Sequence, residues 1–348
     1  MCVLEEQLCL LPCFESEKII HVNVLTGGLS RSCFCVTTEK QQYFAKNLAN
    51  ESTEQLAAIF AGEQGVAPEV IYSDESWLIN KFISGQSLAN SNLSQDEKLN
   101  VMTGLLLRCH QQSLNSGDKK LAAGVPKLAI NETLSQLLKA SKLNAIHRES
   151  LLALSVSIQK ELTQHFKKEG QRPLVFCHGD ANFSNAINAE NKTENLSLQK
   201  LNYSYQLIDF ECASLAPIEY ELAMLLAINE LEIGKLELVA KYYTRHALAK
   251  SFTLKHSQTP LSEKRDTNPK NSSIAVKQIV DNLPIQVTEN NVFNKGLVMR
   301  YFELSLIINA LWYLSKFHQG KAINYKNLAN RQFLLLAQHY PKTHIVID

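Results

Sequence analysis

No run of basic residues longer than a few interrupts this chain, and its formal charge is only +1 over 348 residues. A polyanion would find no cationic platform, so nucleic acid is not an expected partner. No stretch reaches the length of about eighteen uninterrupted apolar residues that a membrane span requires, and no membrane partner is expected either. Eight cysteines are present, but none forms a Cys-x-x-Cys pair or stands at zinc-site spacing from a histidine. That excludes a zinc module or a disulfide framework and leaves small buried hydrophobes or surface thiols. The opening residues MCVLEEQLCLLPCF are broken by Glu5 and Glu6 and carry no basic leader. They predict no secretory signal, which makes the cytoplasm the expected location. No repeat of domain-scale period is found.

What is present is ordinary in bulk and specific in detail. Hydrophobic residues make up 45% and charged residues 20% of a chain long enough for two lobes with separate cores. The run HGDANFSN follows a strand-like lead-in, Leu174 to Cys177, and sets Asn185 five residues after Asp180. Asp209 comes later, in LIDFE. The interval between Asp180 and Asn185 is that of the H-R-D-x-x-x-x-N catalytic loop of kinases, with Gly179 in place of the arginine. Phosphoryl transfer to an alcohol needs a carboxylate to orient the hydroxyl and take its proton, and oxygen ligands for magnesium on the phosphates. Asp180 suits the first role, Asn185 and Asp209 the second.

Together, HGD-x-x-x-x-N and the later DFE resemble the superfamily of aminoglycoside phosphotransferases, choline kinases and thiamine kinases. The resemblance covers roughly Val24 to Leu226 and, more loosely, the helical tail. It implies an α+β, two-lobed, protein-kinase-like fold, with a small antiparallel-sheet lobe at 1–84 and a larger, mainly helical lobe at 85–348. A charged, proline- and serine-rich stretch at about 255–273 reads as an insertion within that helical lobe.

From His21 onward the chain reads strand, turn, strand, turn, strand, with the Gly27-Gly28 pair in the first turn and Phe34 and Val36 alternating in a half-buried second strand. The third strand ends in Tyr43-Phe44-Ala45-Lys46, like the V-A-I-K strand whose lysine grips phosphates. Lys46 is therefore the expected phosphate lysine, under the Gly27-Gly28 turn. Ser52 with Gln55 suggests a capping box for a helix ending at Gly65, with Leu56, Ile59 and Phe60 on its apolar side. Glu54 is the candidate partner of Lys46, with Glu51 and Glu63 as rivals. The segment WLINKFISGQSL corresponds to the last strand of the small lobe and its hinge, where backbone groups near Asn80, Lys81 and Phe82 would meet the nucleobase. Relatives often carry GGLSN-R after the glycines, where this chain has Ser30, Arg31 and Ser32.

Helices are expected over Ser94–Gln112, Asn131–Lys142, His147–Lys168, Ala216–Leu231, Leu297–Phe317 and Tyr325–His339. His110 reads as a packed, structural histidine and Glu221 as a buried brace. Glu211 replaces the glycine of DFG; facing the acceptor, its carboxylate could attract a cation. Tyr301 and Trp312 lie on an aromatic face that reads either as core or, by the resemblance, as the wall of a cation pocket. The implied activity is transfer of the γ-phosphate of ATP, with Mg²⁺, to a hydroxyl of a small cationic metabolite such as thiamine, choline or ethanolamine. An antibiotic phosphotransferase is the near alternative, and a nucleotide-binding pseudokinase acting as an interaction module the distant one. Acceptor identity, ATP against GTP, and oligomeric state are not legible in the sequence.

Overall fold

The computed structural model describes residues 3–25, 31–48, 53–116, 124–189, 204–256, 293–320, 324–341, 345 and 347. Gly27, Gly28, Glu51, Ser52 and most of the 255–273 stretch lie outside them. By contact the chain forms two compact units, neither continuous in sequence. One comprises Met1–Ser94, Ser116–Pro126 and His178–Ser214, the other Gln95–Asn115, Lys127–Cys177 and Leu215–Asp348. The HGDANFSN and DFE segments, expected within 85–348, thus group with the sheet.

The first unit is built on an antiparallel sheet of β1 (Ile19–Leu25), β2 (Cys33–Thr38), β3 (Gln42–Asn47), β4 (Val70–Ser73) and β5 (Trp77–Lys81), in the order β1-β2-β3-β5-β4. Successive side chains of a strand point to opposite faces. One face carries Phe34, Val36, Tyr43, Ala45, Trp77 and Ile79, all buried in a single cluster. The N-terminal helix α1 (Val3–Cys9) and the turn after it cover that face with Leu8, Leu11 and Phe14. Phe14 meets Tyr43 edge-on at 5.3 Å. Each such side chain contributes about 1.5–3 kcal/mol by leaving water. The other face presents Cys33, Phe44, Lys46, Leu78 and Asn80 to a cavity. β2 is therefore buried on both sides rather than half-buried, because it is an inner strand with a core on one face and the cavity on the other.

Helix α2 (Glu54–Glu63) begins after Thr53, which makes no side-chain cap, and the capping box expected at Ser52 lies outside the described residues. Its buried side runs through Glu54, Ala57, Ala58, Phe60 and Ala61, while Leu56 is half exposed. Gln55 donates to the Asp74 carbonyl. Gly65 ends this segment at φ +67°, as expected. Asp74 closes the β4–β5 turn by accepting from the N–H groups of Ser76 and Trp77, both at 2.8 Å. After β6 (Leu174–Cys177) and the HGDANFSN loop comes a second ribbon, β7 (Ala186–Asn188) paired with β8 (Tyr205–Leu207). The chain at Gly85 runs so close to it that a Cβ there would stand 1.7 Å from the Asn188 carbonyl oxygen.

The second unit is mainly helical: α3 (Gln95–Ser116), α4 (Ile130–Ala140), α5 (Ala145–Glu169), α6 (Ile218–Ile228), α7 (Leu236–His256), α8 (Lys295–His318) and α9 (Asn324–His339). A short strand, β9 (Ser214–Pro217), precedes α6 where the sequence suggested that the helix had already begun. By length and composition α8 could cross a membrane, with a mean hydropathy of 1.3, yet 83% of that window is buried, as in a core helix. His110 and Glu221 are fully buried; the His110 ring lies 2.8 Å from the Tyr243 hydroxyl and 4.0 Å from the Glu221 carboxylate. Both take the structural part expected of them.

Glu303 on α8 is 2% exposed and contacts the Arg300 guanidinium at 2.9 Å, while the Tyr340 hydroxyl donates to it at 3.0 Å. Burial pushes its carboxyl up to about 7, against the pull of Arg300. The folded chain thus holds this proton more tightly than the unfolded chain, in which glutamate titrates near 4.5. Stability must fall as pH rises between those values, by on the order of 3 kcal/mol. Glu303→Gln should remove that loss, raising the melting temperature at pH 8 while leaving it near wild type at pH 4; equal pH profiles for the two proteins would refute the assignment. Gly85→Ala should destabilise by about 2–3 kcal/mol in urea unfolding, because the new methyl meets backbone rather than a yielding side chain.

Candidate active site

Three carboxylates converge on one amine. Lys46 Nζ lies 2.8 Å from Glu54 Oε1, 2.6 Å from Asp209 Oδ1 and 3.5 Å from Glu211 Oε2. Lys46 faces the cavity because its strand neighbour Ala45 faces the core, and Glu54 reaches it from the first turn of α2, where a helix favours a negative charge. Burial alone would depress the lysine, but Asp209 and Glu54 outweigh it and hold the amine well above its usual value. Burial raises Glu54, with Asp209 and Glu211 adding repulsion and Lys46 opposing. Partners of one ion pair move the same way because the lysine draws on three carboxylates, whereas each carboxylate shares one lysine. The pair remains ionised, since removing either charge would strand the other in a nearly water-free place. Of the glutamates considered for this contact, Glu54 makes it; Glu63 ends the same helix and Glu51 lies outside the described residues.

The HGDANFSN loop is fastened to the strand before DFE by two contacts. His178 Nε2 donates to the Ile208 carbonyl at 2.8 Å while its Nδ1 accepts from the Asp180 N–H at 3.3 Å, a pairing that defines the tautomer. Asn185 accepts the Ile208 N–H on its backbone oxygen at 2.9 Å. The His178 ring also packs 4.6 Å from Phe210. Gly179 has φ +80°, and a Cβ there would stand 2.0 Å from the Cys212 carbonyl, so only glycine passes between the two motifs. Asn182 accepts from the N–H and hydroxyl of Ser184 at 2.9 Å, shaping the short turn that turns Asn185 back toward Asp180. Asn185 Nδ2 then donates to Asp180 Oδ2 at 2.9 Å and to its carbonyl at 3.1 Å. Burial pushes the Asp180 carboxyl up to about 6, with Asp209 adding to the rise and Asn185 opposing it. Asp209 itself is held at φ +66°, a left-handed conformation that costs a non-glycine residue about 1 kcal/mol and recurs at functional sites.

A cavity of about 520 Å³ opens beside these groups, lined entirely by residues of the first unit. Arg31, Lys46, Glu54 and Asp209 belong to its charged part, Phe44, Leu78, Phe82, Ile83 and Leu207 to its apolar part, and Lys81 lines it next to Phe82. Asn80 also lines it, 7% exposed, with its amide donating to the Pro68 carbonyl at 3.4 Å. Two expected base-reading groups are already engaged: the Lys81 N–H goes to Glu69 at 2.9 Å and the Phe82 N–H to Gln42 at 3.1 Å. Sequence reading missed Arg31 and Cys33, although both share the strand face that carries the cavity, two residues apart. Cys177, just before the HGDANFSN loop, is fully buried, and Cys212 is exposed.

The donors fit a hard divalent cation. Asn185 spends its N–H₂ on Asp180, which leaves its side-chain oxygen as the available ligand, and oxygens of Glu54, Asp209 and Glu211 lie within 4.8 Å of one another. Glu211 turns its carboxylate to Lys46 in this arrangement. Tyr301 and Trp312 belong to the second unit. Tyr301 is 4% exposed and packs edge-on to Tyr220 at 5.9 Å, while Trp312 contacts Tyr325 at 5.9 Å and carries the Lys316 ammonium 5.0 Å over its ring.

No curated protein sequence matches the chain significantly. Among solved structures, the choline kinase LicA from Streptococcus pneumoniae superposes with a TM-score of 0.60 at 18% identity, over 97% of this chain and 98% of that one. A Plasmodium vivax ethanolamine kinase gives 0.59 at 16% identity over 96% and 85%. An aminoglycoside 2'-phosphotransferase gives 0.51 at 14% identity over 98% and 99%. These likenesses show the kinase-like fold. The sequence profile for choline/ethanolamine kinase matches residues 22–337, nearly the whole chain. With that profile, the ion pair on Lys46 and the capped carboxylate of Asp180 taken together, this chain belongs to the choline/ethanolamine kinase family, phosphotransferases whose acceptor is an alcohol.

Proposed function

We propose that the protein transfers the γ-phosphoryl group of ATP to the hydroxyl of a small cationic amino alcohol of the choline or ethanolamine type. The observation that carries this reading is Lys46 held between Glu54 and Asp209 on the wall of a cavity whose other end is apolar enough for a purine. Among the acceptors implied by sequence, thiamine loses ground to choline and ethanolamine, since the matching family profile is that of the latter. A neighbouring structure holds AMP, which supports a nucleotide in the cavity here. The described cysteines are all free, as a reducing cytoplasm would keep them.

In this reading the apolar part of the cavity takes the base. With the Lys81 and Phe82 N–H groups engaged, the backbone of Ile83, which lines the cavity just beyond them, would meet its polar edge. Lys46 binds phosphate oxygens, and Glu54 keeps its amine aimed and charged. Asp180 orients the acceptor hydroxyl and receives its proton, a task suited to a carboxyl held near neutrality. The acceptor oxygen forms a bond to the γ-phosphorus as the bond from that phosphorus to the bridging oxygen breaks, and the electron pair leaves with ADP. Asn185 and Asp209 would hold Mg²⁺, which neutralises phosphate charge when bound. Loose transition states reward positioning and charge neutralisation above proton removal, so the loop fastened by His178 matters as much as the base itself.

Asp180→Asn should lower kcat by at least about a hundredfold while nucleotide affinity stays within about threefold of wild type; near-normal turnover would remove Asp180 from the mechanism. An ATP-consumption screen over choline, ethanolamine, thiamine and aminoglycosides should give its highest kcat/KM with one of the first two. Preference for an aminoglycoside would replace the acceptor class, and background hydrolysis across the panel would favour a nucleotide-binding interaction module.

A further inference from the structure

We infer that Arg31 is the second phosphate-binding cation of this site, gripping the β- and γ-phosphates of the nucleotide that Lys46 alone cannot neutralise. The inference rests on the nucleotide reading above and adds to it a residue that neither the motifs nor the fold assigned.

Charge is the first argument. Lys46 has Glu54, Asp209 and Glu211 within 3.5 Å, so its positive charge is already matched and exceeded before any phosphate arrives. A triphosphate brings several more negative charges into the same space. A divalent ion on the acidic groups offsets part of this, and a further cation on the cavity wall would offset more. Among the described residues, three cationic side chains line the cavity: Arg31, Lys46 and Lys81. Lys81 ends β5 next to Phe82, at the part assigned to the base.

Position is the second. β2 opens at Cys33, directly opposite Lys46 in the ladder with β3, and Cys33 lines the cavity together with Lys46. Arg31 precedes Cys33 by two residues, and the strand period carries it to the same face, where it too lines the cavity. Availability is the third. Among the described residues no carboxylate pairs with the exposed Arg31 guanidinium, in contrast to the three on Lys46. A guanidinium presents a planar fork of donors that matches phosphate oxygens two at a time, which an ammonium cannot do.

The contact would form with the phosphates beyond the α position, and the experiment separates these from the rest of the nucleotide. Arg31→Ala, Arg31→Lys and the wild type would be titrated with AMP, ADP and a non-hydrolysable ATP analogue, and kcat and KM for ATP measured with the acceptor at saturation. Expected are a loss of about tenfold or more in ATP-analogue affinity and kcat/KM for Arg31→Ala, AMP affinity within about twofold of wild type, and an intermediate value for Arg31→Lys. Melting temperatures should coincide, since the side chain is exposed; if the alanine variant does not fold, the lysine variant alone carries the comparison. Equal ATP-analogue affinity and kcat/KM in variants and wild type would overturn the role of Arg31 and leave the nucleotide reading standing. Equal losses toward AMP and ATP would overturn it as well, by moving the contact off the outer phosphates. Wild-type protein that binds none of the three nucleotides would overturn both.

Discussion

Burying a lysine is expensive unless anionic oxygens replace its water, and in this protein that exchange ties together segments far apart in sequence. Lys46 ends a strand, Glu54 starts a helix and Asp209 follows a strand more than 150 residues later. The buried charges of Lys46 and Glu54 would each be strongly unfavourable alone, and breaking such a pair by removing one partner typically costs about 3–5 kcal/mol. The three segments are therefore held in one arrangement, and the same arrangement sets Lys46, Asp209 and Asn185 on the wall of one cavity. The contact that fixes these segments and the charged wall of the cavity are here the same set of atoms.

Around it the sheet acts as a sorting plane. Alternation sends Phe34, Val36, Tyr43, Ala45, Trp77 and Ile79 to a core sealed by the N-terminal helix, and sends their neighbours Cys33, Phe44, Lys46, Leu78 and Asn80 to the cavity. A one-residue slip of β3 would exchange Lys46 for Ala45, placing a charge in the core and a methyl in the site. The tight core on one face thereby specifies the chemistry on the other. The glycines at 85 and 179 act in the same direction, permitting backbones to meet where a Cβ would not fit.

Much of this was legible beforehand because it is local. The order of the first three strands, most helices of the second unit and the interval from Asp180 to Asn185 all depend on residues close in sequence, while the helix Leu236–His256 was not read. The errors were local readings overruled by surroundings. β2 looked half-buried because Cys33 and Cys35 are small, although both its faces are covered. β9 was hidden inside a helical pattern because its few apolar residues fit either period.

From its residues alone the chain determined a kinase-like reaction class, since a carboxylate, an amide and a second carboxylate at those intervals have few other uses, together with an α+β architecture. Tertiary structure decided which glutamate reached Lys46, which way Glu211 turned, that the Lys81 and Phe82 N–H groups were already engaged, and that Arg31 shared a wall with Lys46. Those outcomes depend on distances between segments, and on the competition of several groups for one partner. A linear order of side chains contains neither.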